Sequence, residues 1–240
     1  MVGAFLFHAS ADRSETAMKI PTGALRRLRQ LALTIAGVYL ALCVGFTVFQ
    51  RSLLYFPPPS RCCLPQKSMQ LHVDDIDLII ATRAYAGPDA IIYFGGNGED
   101  VVASMAMYAA AFPTRALYLL NYRGYGGSGG RPSEPAIQRD ALALFDTVRR
   151  SHSDIVVIGR SLGSGVAAHL ATQRPVSKLI LVTPYASILA LAQQRYPYFP
   201  VRWMLQDKFE SWRDSPLIQA PTLLVAAGSY SWCLAPVSWN

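Results

Sequence analysis

Residues Asp154 to Gly165 read Asp-Ile-Val-Val-Ile-Gly-Arg-Ser-Leu-Gly-Ser-Gly, and no other stretch constrains the folding of this chain as tightly. Four consecutive aliphatic residues of high β propensity predict a strand buried on both faces. The small residues after Ser161 predict a helix packed close to that strand. Between them the G-x-S-x-G spacing requires a sharp strand-to-helix corner at Ser161. Side chains two positions away on either side would meet neighbouring backbone, so Gly159 and Gly163 fill those places. The corner lifts the Ser161 hydroxyl above the sheet and sets it at the positive end of a helix.

The rest of the chain supplies partners for such a strand. Apolar runs at Met69–Val73, Leu78–Tyr85, Ala90–Phe94, Ala116–Leu120, Ile155–Ile158, Leu179–Val182 and Thr222–Ala226 read as strands. Helices are expected from about Asp100 to Phe112, Glu134 to Arg150 and Ser164 to Thr172. Short apolar strands alternating with helices predict an α/β fold: a doubly wound, mostly parallel sheet, ending here after about the seventh strand. The aromatic, proline-broken segment 185–220 lies where such folds often carry a lid.

Hydrophobic residues make up 52% of the 240, and the excess is concentrated. Leu31 to Phe49 is nineteen residues without a charge, and a helix over that stretch spans roughly 28 Å, enough for a bilayer core. Only Thr34 and Thr47 are clearly polar within it, so it lacks the polar face of a surface helix. Arg26, Arg27 and Arg29 precede it and Tyr55 and Phe56 follow, which predicts an N-terminus on the cytoplasmic side and the remaining chain outside (periplasmic in a bacterium). No small-x-small cleavage site follows, so an uncleaved signal-anchor is expected rather than a signal peptide. Five segments result: a basic stretch 1–30, whose first seventeen residues read as a misassigned start; the span 31–49; a proline-rich linker 50–68; the globular domain 69–228; and an aberrant tail 229–240.

The net charge of +7 narrows little, because residues 1–51 hold six basic and two acidic side chains and the remainder carries only +3. No basic stripe is interleaved with aromatics, so nucleic acid is not an expected partner. The four cysteines form no metal pattern. Cys43 falls in the span, Cys62 and Cys63 are adjacent, and Cys233 is near the end. A disulfide and free thiols both remain open for them.

Chemistry enters with Ser161. A hydroxyl raised on such a corner is a candidate nucleophile, and the Leu162 backbone N–H behind it is a candidate oxyanion donor. Gly95-Gly96-Asn97-Gly98 follows the Ala90–Phe94 strand and lets the backbone turn inward, making the Asn97 N–H the expected second donor. Four stretches together, Gln50-Arg51-Ser52-Leu53-Leu54-Tyr55, Phe94-Gly95-Gly96-Asn97, Asn121-Tyr122-Arg123-Gly124-Tyr125-Gly126 and the Ser161 corner, resemble the membrane-anchored branch of the α/β-hydrolase superfamily related to serine aminopeptidases and acyl hydrolases. The resemblance covers about residues 50–229. It implies hydrolysis of an ester, thioester or amide of a small acyl substrate or peptide through an acyl-enzyme, with no metal and no organic cofactor, and attachment to the membrane through residues 31–49.

Gly124-Tyr125-Gly126-Gly127-Ser128-Gly129 also fits the G-x-G-x-x-G pattern of dinucleotide sites. That pattern places its last glycine in the first turn of a helix, whereas Arg131-Pro132-Ser133-Glu134-Pro135 delays the helix here. Asp146, at about the spacing of the ribose-binding acid, falls mid-helix. The loop is therefore read as a connection beside the site.

The base and acid are missing. This fold orders them Ser, then Asp or Glu, then His. Of His8, His72, His152 and His169 only His169 follows Ser161, and eight residues along one helix place it roughly 12 Å away. No acidic residue follows Asp214. The expectation is a frameshift or premature end near Ser229 and an impaired hydrolase; the alternative is a non-catalytic, membrane-tethered descendant that binds a ligand or has no function.

Overall fold

A computed structural model describes residues 22–58 and 67–226. The chain divides into two units, one up to Val44 and one from Gly45 onward. The first consists, where described, of the greater part of helix α1 (Thr22–Leu54). Its apolar side chains, Leu33, Ile35 and Leu40 among them, stand exposed. The helix is long and apolar enough to cross a bilayer. It runs on through Gln50–Leu54, residues expected in the linker, and those last turns belong to the second unit. Cys62, Cys63, Cys233, the proposed start at Met18 and the tail 229–240 lie outside the described residues.

The second unit is built on seven strands: β1 (Ser68–Val73), β2 (Ile76–Arg83), β3 (Asp89–Phe94), β4 (Ala116–Leu120), β5 (Asp154–Arg160), β6 (Lys178–Val182) and β7 (Thr222–Val225), in the order β1-β2-β4-β3-β5-β6-β7. The first two form an antiparallel hairpin whose turn, Asp74-Asp75, has positive φ at both positions, the backbone a two-residue hairpin demands. β2 also pairs antiparallel with β4, and every later pairing is parallel. The doubly wound, mostly parallel sheet expected from the alternating apolar runs is thus the observed one, and strand boundaries differ by one or two residues.

Helices cover both faces. Ile91, Tyr93, Leu117 and Ile158 face α2 (Val101–Ala111), while Ile92, Phe94, Leu120 and Val157 face α3 (Glu134–Arg149) and α4 (Leu162–Gln173) across a core that includes Ile137, Phe145 and Leu170. From β3 the chain passes to β4 on one side and later returns to β5 on the other. Such a switch point opens a crevice at the carboxyl ends of β3 and β5, the usual place for a ligand in an open α/β sheet.

The close approach of α4 to the sheet rests on missing side chains. A Cβ on Gly163 would run into the carbonyl of Phe94 at the end of β3, and one on Gly159 would strike the Gly163 carbonyl and Ala167. After β6 come α5 (Ile188–Arg195), α6 (Val201–Met204), α7 (Ser211–Asp214) and a 3-10 turn (Ser215–Leu217). These fill the segment expected to be lid-like.

β7 is an outer strand, and Leu223, Leu224 and Val225 are all exposed, with nothing covering them among the described residues. Unpaired apolar edges template association. In the 240-residue chain, Leu224→Lys should therefore raise the monodisperse fraction in size-exclusion chromatography; an unchanged profile counts against the edge as the cause of association. Gly163→Ala should drive a methyl group into backbone and lower Tm by roughly 6–12 °C, equivalent to about 3 kcal/mol, in thermal unfolding of the solubilised chain. An unchanged Tm contradicts the backbone-on-backbone contact.

Candidate active site

The corner predicted at residue 161 is present. Ser161 has φ 48° and ψ −117°, a conformation L-residues rarely adopt and one that costs on the order of 1–3 kcal/mol. Hydrogen bonds pin it from both sides. Its N–H donates to the Val182 carbonyl of β6 at 2.9 Å, and its carbonyl accepts from the Ser164 N–H at 2.8 Å and the Ser164 hydroxyl at 2.6 Å. Its side chain is exposed at the mouth of the crevice, while Leu162 behind it is buried.

The loop after β3 lies against this corner. A Cβ on Gly96 would sit 3.6 Å from the Ser161 Cβ, so the backbone of the Gly95–Gly98 loop borders the serine directly. The backbone N–H groups of Leu162 and Asn97 have no acceptor among the described residues. For Leu162 this follows from its place in the first turn of α4, where the amides have no intrahelical partner. Ser161 and Leu162 at the start of α4 thus adjoin the Gly95–Gly98 loop that carries Asn97.

Asn97 is held through its side chain. Its Oδ1 accepts from the Tyr125 hydroxyl at 2.9 Å and the Phe56 N–H at 3.1 Å, and its Nδ2 donates to the Leu54 carbonyl. Burial pushes the Tyr125 phenol up to about 12, so at neutral pH it remains a donor to Asn97. A second tyrosine, Tyr122, donates to the Gly95 carbonyl at 2.8 Å. The glycine-rich loop thus braces the loop beside Ser161. Its Gly124, Gly126 and Gly127 turn through positive φ, and a side chain on Gly126 would collide with Asn121. The loop is anchored at its root by Arg123, which donates twice to the buried Asp140 carboxylate of α3 at 2.7 and 2.8 Å. Helix α3 starts only at Glu134, beyond the loop, and Asp146 is paired with Arg174. The helix start that a dinucleotide fingerprint requires does not occur.

Glu99 escaped sequence reasoning. Its Oε2 accepts from the Gly96 N–H at 2.7 Å and from Arg160 at 3.3 Å, and its Oε1 accepts from the Tyr93 and Ser104 hydroxyls at 2.7 and 2.8 Å. A largely buried carboxylate (11% exposed) thereby fixes the loop bordering Ser161 and the residue preceding it. The available signal was its position three residues beyond Gly96, within reach of a turn amide.

Asp207 was missed as well. Buried, it accepts from the Tyr55 hydroxyl at 3.1 Å, from Arg51 Nε at 3.2 Å and from the Glu134 N–H at 3.1 Å, where its charge also suits the first turn of α3. Burial, reinforced by the Asp207 carboxylate, pushes the Tyr55 phenol well above its ordinary range and keeps it a donor. Gln50 completes the junction, donating to the Met204 carbonyl and accepting from the Gln206 N–H. The Gln50–Tyr55 stretch is thus explained: it docks the end of α1 onto the 185–220 segment.

The described histidines do structural work. His169 Nδ1 lies 3.6 Å from Asp214 Oδ1, a contact between α4 and α7, and its place in the third turn of α4 keeps it from Ser161. His152 bridges the Tyr118 hydroxyl and the Gly87 carbonyl, and His72 contacts Asp77.

Comparison with known proteins agrees with the fold. The family model described as serine aminopeptidase, S33, matches residues 90–225, from β3 through β7. An uncharacterised protein of Mycobacterium tuberculosis is 31% identical over 224 residues, covering 85% of this chain and 79% of that protein. The lysophosphatidylserine lipase ABHD12 of Xenopus tropicalis is 31% identical over 168 residues, 57% of this chain, and the chain spans only 42% of that enzyme's length. Among solved structures, the esterase Pf2001 of Pyrococcus furiosus superposes with a TM-score of 0.54 at 15% identity, over 71% of this chain and 77% of that one, a likeness of fold. The chain belongs to the serine aminopeptidase S33 family of hydrolases, within the α/β-hydrolase superfamily.

Proposed function

We propose that this chain is a membrane-anchored serine hydrolase that cleaves an ester, thioester or amide through an acyl-enzyme at Ser161. The observation that carries the reading is the strained corner at Ser161, flanked by the Leu162 amide of α4 and the Asn97 amide of the loop after β3, which lack acceptors among the described residues. Strain of that kind persists only where surrounding structure over-determines it, and it concentrates at working sites. The Ser161 Oγ attacks the acyl carbonyl carbon, and the oxygen gains the negative charge that the Leu162 and Asn97 N–H groups would receive. Collapse expels the alcohol, thiol or amine with a proton, and water then releases the acid and restores the serine. In related sites one such donor contributes about 2.7–4 kcal/mol to the barrier.

The substrate class we favour is a single-chain acyl ester at a membrane surface. Two observations support it: the vertebrate relative named for lysophosphatidylserine hydrolysis, and the apolar helix α1 whose end packs onto the 185–220 segment. We place the N-terminus on the cytoplasmic side, with the hydrolase unit beyond the bilayer, from the arginines that precede the apolar run.

Among the described residues no histidine is placed to take the proton from Ser161. If no base reaches the serine, deprotonation is left to solvent and the rate falls far below that of a complete triad, near the residual ~10³–10⁴-fold over water left when a triad member is removed. That same observation favours a second reading, a tethered protein that has kept the fold and lost the chemistry.

A fluorophosphonate probe separates the two. Slow labelling of the solubilised chain that disappears in Ser161→Ala supports residual serine chemistry. Absence of labelling, with an unchanged Tm for both proteins, overturns the catalytic reading and leaves the tethered one.

A further inference from the structure

The last turns of α1 and the segment Ile188–Leu205 enclose an apolar cleft of about 160 Å³, lined by Phe46, Leu53, Leu54, Ile188, Tyr196 and Met204 among others. Phe46 belongs to the uncharged run 31–49, yet its ring contacts Tyr196 at 5.9 Å and Phe199 edge-on at 5.0 Å between centroids. If the run spans a bilayer, a side chain four residues from its end lies at the boundary between hydrocarbon and headgroups. Anything stacked on that side chain lies at the same depth.

The segment has the composition for that depth. Trp203 is 86% exposed and Tyr198 87% exposed, values without a purpose in water for two large aromatic rings on one short stretch. Arg195 and Arg202 are exposed beside them, Arg195 with its guanidinium 5.6 Å from the Tyr196 ring centroid, and no acidic residue occurs from Ile188 to Gln206. Exposed aromatics with flanking arginines and no carboxylate are what the headgroup region of an anionic leaflet selects. Leu54, which also lines the cleft, accepts through its carbonyl from the Asn97 side chain.

We propose that Ile188–Leu205 is a membrane-interfacial element, with Trp203 and Tyr198 in the headgroup layer, and that the cleft beneath it receives the acyl chain of a lipid from the outer leaflet. The inference rests on the anchored reading above and adds to it a binding site and a route of entry. Its source of substrate is the bilayer, not the aqueous phase.

The test uses the full chain in phosphatidylcholine–phosphatidylglycerol vesicles containing lipids brominated on the acyl chain. Three single-tryptophan proteins are compared, with the remaining tryptophans changed to Phe: native Trp203, Tyr196→Trp in the cleft, and Tyr39→Trp within the apolar run. Quenching of the Trp203 and Tyr196→Trp reporters within about twofold of the Tyr39→Trp reporter, with little quenching by aqueous iodide, is the expected result. A quenched Tyr39→Trp reporter beside two that only iodide reaches overturns the interfacial element while leaving the anchor intact. If the Tyr39→Trp reporter also escapes the brominated lipid, the anchored reading fails and the inference falls with it. Tm of each protein, measured alongside, identifies any that has lost its fold.

Discussion

The contact of one helix backbone with the end of one strand governs the architecture. Helix α4 lies so close to β3 that the Phe94 carbonyl occupies the space a Gly163 side chain would need. That approach fixes how abruptly the chain must turn after β5, and the turn is what drives Ser161 to positive φ. Strain at the serine and close packing at the glycines are one constraint seen from two sides. The sheet supplies the reaction force, because buried apolar residues on both faces of β3 and β5 hold the strands where the helix must meet them.

Around that corner a second layer consists of polar groups that each serve more than one element. Glu99 joins the turn at Gly96 to Arg160 and the ends of Tyr93 and Ser104. Asn97 joins the same turn to Tyr125 and to the chain emerging from α1. Asp207 joins α1, α3 and the 185–220 segment. Each is a charge or amide with most of its hydrogen-bonding capacity filled, which is how such groups are tolerated in partly buried places. The arrangement makes the loops bordering the serine as well determined as the core, although they lie at the surface.

Legibility in the sequence followed the range of the interaction. The strands were readable because aliphatic runs such as Ala90–Phe94 and Ile155–Ile158 are buried on both faces and need no alternation. The corner at Ser161 was readable because its cause is local: two glycines and a serine in five residues. The late start of α3 after the glycine-rich loop was readable too, since proline at 132 and 135 governs where that helix can begin. Glu99 and Asp207 were not readable. Their partners lie up to 156 residues away in the chain, and a lone carboxylate carries no mark of what will surround it. The extent of α1 was underestimated for a related reason. Gln50 and Arg51 look like the polar end of a span, but their side chains are consumed by Met204, Gln206 and Asp207, so the helix continues to Leu54.

The hydrogen bonds made by Gln50, Arg51, Tyr55, Phe56 and, as acceptor, the Leu54 carbonyl give the end of α1 a standing beyond that of a leash. A protease cutting at the prolines would leave those five partners behind with the helix. The released portion would surrender the supports of both the 185–220 segment and the Asn97 turn. If α1 is the anchor proposed above, release from the bilayer and loss of the site's support would then be a single event.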